Sequence, residues 1–193
     1  MKKIALTIII LLLGGCATKS LPPIKKYSIS KSLKVKKIAD KKCKNVNISL
    51  FQSSDEILSK KIIYQKGLEK NYYYFSRWFE APDLMVSKLI YDFFKSSSVC
   101  KESYLMMDKL NPQYTLNGKI IEFGQKFDKN GSFGVVDIMC YIENSQNDIV
   151  AQKEFISIKK APGNNAKGGI EAINKASNEV ALKILKWFQD SIN

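Results

Sequence analysis

Three runs in the C-terminal half, QYTLNGKIIEF (113–123), FGVVDIMCYIE (133–143) and IVAQKEFISIK (149–159), alternate apolar and polar residues. The turn-formers DKNG (128–131) and SQND (145–148) separate them. A period of two puts every second side chain on one face of a pleated strand, and short polar connections favour antiparallel neighbours, so the three runs read as a meander. Beyond the breaker stretch APGNNAKGG (161–169) the period changes. Ile170, Ile173, Val180, Ile184 and Trp187, with Ser177 in the same register, recur at intervals of three and four, predicting a helix of about five turns with one apolar stripe. Upstream, PDLMVSKLIYDFFKSS (82–97) carries Leu84, Met85, Leu89 and Phe93 at helical spacing. Pro82 sits at its first turn, and Glu80 and Asp83 lie near its positive end. Shorter runs, KYSISKSLKV (26–35), NVNISLF (45–51), KKIIYQ (60–65) and NYYYFSRW (71–78), read as further strands. The expected fold class is α+β: a mixed, largely antiparallel sheet with two helices packed on it.

The N-terminus has a different logic. Met1-Lys2-Lys3 precedes an apolar run from Ile4 to Leu13 broken only by Thr7, and LLGGC (12–16) follows. Ten apolar residues are too few to cross a bilayer of about 30 Å as a permanent helix, but suit an export signal. LLGGC resembles the bacterial lipobox, in which the cysteine thiol takes a diacylglycerol, the preceding peptide is removed and the new amino group is acylated. Residues 1–15 are therefore expected to be a signal peptide, 16–26 a lipidated N-terminus and tether, and 27–193 the folded domain. No cofactor is expected apart from the covalent lipid on Cys16. Ala17, in place of the aspartate that signals inner-membrane retention in enterobacterial lipoproteins, points to the periplasmic face of the outer membrane.

The composition narrows the chemistry. The 193 residues contain no histidine, which removes the imidazole-dependent hydrolases and histidine zinc sites. The net charge of +13 is uneven: residues 17–44 carry +9, which this reading places beside the membrane anchor, and residues 45–193 only +2. Arg77 is the sole arginine, so the guanidinium forks of nucleic-acid recognition are nearly absent and no nucleic-acid partner is expected. Three cysteines follow the anchor. Cys140 sits in a strand pattern, whereas Cys43 and Cys100 lie in lysine-flanked, loop-like contexts and are the preferred disulfide. A metal site built from them is not expected.

No catalytic constellation emerges. GKIIEFGQKFDKNGSFG (118–134) is rich in glycine but lacks the ending of a phosphate loop. Glu122 and Asp137 could form an acid–base pair, yet both fall in alternating strands where a solvent-facing charge is the default. The aromatic stretch from Tyr72 to Phe79 is the most informative surface candidate. Core packing should take most of it, with part left for a protein partner or a lipid chain.

These pieces in their order, with RWFEAP (77–82) leading into a helix, LNGKIIEF (116–123) in the meander and GIEAINKA (169–176) in a helix ending at Trp187, resemble the ABC-type transport auxiliary lipoproteins of the PqiC type. The resemblance spans residues 27–190. It implies a non-enzymatic outer-membrane lipoprotein that partners the MCE-domain protein of an ABC transporter moving phospholipids or other hydrophobic compounds, with self-association as a further option. Trp78, Phe79, Glu80 and Pro82 become the candidate partner or lipid contacts. A lipoprotein scaffold for lipopolysaccharide export or a secretin pilot is the alternative that shares anchor and size.

Overall fold

A computed structural model describes residues 21–107 and 111–192. The expected signal peptide, residues 1–15, and Cys16 lie outside the described residues. The elements run β1 (Lys25–Tyr27), β2 (Cys43–Ile48), β3 (Gln52–Ser53), α1 (Asp55–Leu58), β4 (Lys61–Lys66), β5 (Glu69–Trp78), α2 (Pro82–Ser97), β6 (Cys100–Leu105), β7 (Tyr114–Asp128), β8 (Gly131–Asn144), β9 (Ile149–Lys160) and α3 (Ala166–Ser191). The nine strands form one mixed sheet, and its long ladders, β7 with β8 and β8 with β9, are antiparallel as the meander predicts. The helix over 82–97 has the bounds its sequence implies.

The sheet is organised around β7. One edge of this strand pairs with β8 along its whole length. The other edge is shared in succession by three short parallel strands: β2 opposite Tyr114–Leu116, β3 opposite Lys119–Ile120 and β4 opposite Gln125–Phe127. β5 continues outward from β4 and β1 from β5, while β6 flanks β2. The domain thus has two ends along β7. One holds the β4–β5 turn and the β7–β8 turn, and the other holds the starts of β2 and β6 and the β8–β9 turn.

Both long helices cover the same face. Val136, Ile138, Cys140 and Ile142 of β8 and Leu116, Ile120 and Phe123 of β7 face inward, where they are buried with the stripe of α3. That stripe ends on Phe188, not Trp187: Phe188 is fully buried with its ring 5.0 Å from Phe94 of α2, and Trp187 packs beside it on Phe155 of β9. α3 is also longer than expected, 26 residues or about 39 Å. Its extra N-terminal turn begins where the side chain of Asn165 accepts the Gly168 N–H, a cap hidden within what reads as a breaker stretch. Gly134 of β8 permits the closest approach, because a Cβ there would overlap the backbone of Ala172 and Ile173.

Three features depart from the sequence reading. The run 26–35 is not a strand; only Lys25–Tyr27 pairs, so the tether ends at Ile24. Beyond Ser28 the chain is a strap across α3, whose amides replace sheet partners. Ser30 N–H donates to Asn174 Oδ1 (2.8 Å), Ser32 N–H to Asn178 Oδ1 (2.7 Å), and Asn178 Nδ2 donates to Ser30 O (2.9 Å). The strap reaches the C-terminal end of α2, where Ile38 N–H donates to Ser97 O and Lys42 N–H to Val99 O. The lysines at 36, 37, 41, 42 and 44 are therefore carried toward the end of the domain that holds Cys43, opposite the β4–β5 turn. β3, β6 and the single-turn α1 are additional elements.

Cys43 and Cys100 are paired residues of β2 and β6 and form a disulfide, with Cα atoms 4.5 Å apart. The 57-residue separation makes the closed loop long, so its reduction should cost about 2–4 kcal/mol. A loss of that size in the unfolding free energy from denaturant titration with reductant, seen as a lower midpoint, is the expected result; an unchanged midpoint would show that the bridge is dispensable. Cys140 is free and buried, and burial pushes its thiol up.

Candidate functional site

The junction between β5 and α2 holds the four residues that the resemblance singles out, and it divides them. Trp78 is 1% exposed, its ring 5.4 Å from Phe123, and its backbone N–H donates to Lys60 O at 2.8 Å. Pro82 is buried at the first turn of α2. Neither offers a contact surface, because the alternation that turns Tyr72 and Tyr74 outward breaks at the base of β5, where the strand passes under the helix layer. Glu80 accepts a hydrogen bond from Lys88 Nζ at 2.6 Å, which ties the junction to the second turn of α2. Phe79 is the open residue of the four: 60% exposed, with its N–H donated to Tyr27 O at 2.7 Å.

The aromatic stretch is less buried than core packing predicts. Tyr72 and Tyr74 are exposed, and Tyr73 and Phe75 are half-buried. The reason is position: β5 is covered on its outer side only by the three residues of β1. Lys61 Nζ lies 4.3 Å from the centre of the Tyr72 ring and the Arg77 guanidinium 5.4 Å, so two cations hold that ring at the surface. Tyr73 turns inward instead. Its hydroxyl donates to Gln125 Oε1 (2.7 Å), Gln125 Nε2 donates to Ser132 Oγ (2.7 Å), and burial pushes the Tyr73 phenol up to about 12. This chain fixes β5 to β7 and β8.

Glu122 and Asp137, which sequence alone does not pair, are cross-strand neighbours on the sheet face away from the helices. Lys126 donates to Glu122 at 2.7 Å, and Glu154 of β9 completes the group. Partial burial, then the charges of Glu154 and Glu122, raise the Asp137 carboxyl to about 6. A carboxyl whose folded pKa exceeds its unfolded one loses stability as pH rises, here from about 3.8 to about 6. Asp137→Asn should therefore flatten the pH dependence of the unfolding midpoint across that window. It should also stabilise the domain at pH 7 by about 1 kcal/mol after allowance for solvent screening. An unchanged slope would mean that the trio is fully solvated. Glu179 acts in the opposite sense: hydrogen bonds from Lys159 and Lys183 hold its carboxyl down at about 2, a contribution lost as pH falls from about 4.5 toward 2.

Two recesses adjoin these surfaces. The one between α1 and β7, lined by Ile57, Ile63, Ile121 and Phe123, holds about 80 Å³, the space of two or three waters. A larger groove of about 550 Å³ runs between β9 and the end of α3, with Phe155, Ile156 and Trp187 as its apolar lining and Lys153, Lys183 and Lys186 at its rim.

The arrangement has counterparts among solved structures. Protein XCC0632 from Xanthomonas campestris, of family DUF330, superposes with a TM-score of 0.77 at 13% identity, over 86% of this chain and 96% of that one. An uncharacterized protein matches at a TM-score of 0.69 and 11% identity, over 86% and 99%. The hypothetical protein CT253 from Chlamydia trachomatis matches at 0.52 and 8%, over 78% and 98%. No family model matches the chain, and no curated relative matches it. At these identities the likeness is one of fold.

Proposed function

We propose that the chain is a periplasmic lipoprotein, anchored through Cys16 to the outer membrane, that serves as a non-catalytic accessory of an MCE-type ABC transport system for phospholipids or other hydrophobic compounds. The observation that carries this reading is the lipobox-like LLGGC (12–16) placed directly ahead of a domain with the fold of a DUF330 protein. The ordered motifs from residue 27 to residue 190 add the partner class by resemblance. Docking of a tethered domain gains effective concentration from its anchor, so a modest contact surface suffices.

Crosslinking of the chain in intact cells tests the reading. Recovery of an MCE-domain protein is the expected result, and repeated recovery of lipopolysaccharide-export or secretin components in its place would overturn it. Cys16→Ser should abolish lipid labelling and release the protein from the membrane fraction.

A further inference from the structure

The β4–β5 hairpin ends in KGLEK (66–70). Gly67 takes φ +60° at the turn, and Leu68 beside it is 100% exposed. An apolar side chain held wholly in water at the tip of a rigid hairpin does nothing for the fold. Exposed Lys66 and Lys70 flank it, Lys70 with its ammonium 3.2 Å from the Glu56 carboxylate, and Lys129 lies exposed in the β7–β8 turn at the same end of the domain, where Glu69 and Asp128 are the neighbouring acids. Tyr74, 64% exposed, stands further up β5.

The pairing of β1 supplies the direction of the anchor. β1 runs parallel to β5 with Lys25 opposite Ser76 and Tyr27 opposite Trp78, so the chain preceding Lys25 heads back along β5 toward the hairpin tip. Leu21 and Ile24 in that approach are exposed apolar residues. From Ser76 back to Leu68 is eight residues, at most about 26 Å and less where β5 bulges between Tyr72 and Arg77. From Lys25 to Cys16 is nine residues, a reach of at most roughly 30 Å. The anchor and the tip therefore fit at one level.

We propose that this end of the domain rests on the lipid bilayer, with Leu68 inserted at the headgroup boundary and Lys66 and Lys129 against anionic headgroups. The end holding Cys43, Cys100 and the lysine-rich strap then points into the periplasm. This orientation rests on the lipidation of Cys16. It uses the chemistry of interfacial anchoring, in which an apolar residue and a basic collar supplement a lipid chain.

The test uses the full lipidated chain in vesicles of phosphatidylethanolamine and phosphatidylglycerol. A fluorophore is attached through Leu68→Cys or, at the far end, through Ser145→Cys, the native Cys140 thiol being buried. Nitroxide-bearing lipids should quench the probe at position 68 several-fold more than the probe at 145. Equal quenching on a chain whose Cys16 lipid is confirmed by mass would overturn the orientation and leave the anchor standing. A native chain found by mass to carry no lipid on Cys16 would overturn both. On the unlipidated Cys16→Ser chain, Leu68→Asp should lower partition onto the same vesicles by about tenfold; an unchanged partition would overturn the insertion of Leu68.

Discussion

Gly134→Val is expected to cost at least about 3 kcal/mol and to lower the thermal midpoint by about 10 °C, since each kcal/mol moves a domain of this size by a few degrees. The site tolerates no side chain because the obstacle is backbone. A Cβ on Gly134 overlaps the Ala172 carbonyl carbon and the Ile173 nitrogen, and a helix main chain cannot step aside as a flexible side chain can. Relief requires lifting α3 from β8, which uncovers Val136, Ile138 and Ile173 together. Circular dichroism melting of Gly134→Ala and Gly134→Val checks the claim through its gradient, since alanine already clashes and valine clashes more. A valine variant with the parent midpoint would show that α3 sits further from the sheet.

Trp78→Ala should be equally damaging, with a loss of about 3–5 kcal/mol in denaturant unfolding. The indole fills the space between Phe123 and the start of α2 and is among the largest fully buried side chains. Phe79→Ala, one residue on, should change stability by less than about 0.5 kcal/mol, because the ring projects into solvent. The pair separates architecture from contact. If the junction meets a partner, Phe79→Ala reduces crosslinking while the fold is intact, and Trp78→Ala reduces it only by unfolding. Equal stability of the two variants would refute the burial assigned to Trp78.

The elements legible in the sequence are those whose partner is written into their own period. The helix over 82–97 and the meander strands need only a local alternation and a turn, so their place was plain in the residues. β6 was not, since CKESYL (100–105) is polar and gains its ladder from β2, more than fifty residues upstream. β3, two residues long, has the same cause. The run 26–35 reads as a strand because Tyr27, Ile29, Leu33 and Val35 keep a strand-like alternation, although beyond Ser28 side-chain amides of α3 satisfy the backbone. At the candidate site, the exposure of Phe79 and the burial of Trp78 depend on where β5 meets the helices. The hairpin tip did carry a signal, a leucine beside glycine between two lysines, but only the parallel register of β1 gives it an orientation.

The shared edge of β7 also bears on how the chain comes to be folded. β2, β3 and β4 find their common neighbour only once residues 114–127 are present, and β8 and β9 follow that strand. Residues up to 105 thus hold little sheet that can close on itself beyond the β4–β5 hairpin, the three-residue β1–β5 pair and the β2–β6 pair, and the missing contacts are distant in sequence, which slows folding. A nascent chain emerging from its N-terminus would stay open until its second half arrived. For the exported lipoprotein proposed above, which would cross a membrane before it folds, late completion would keep the polypeptide threadable.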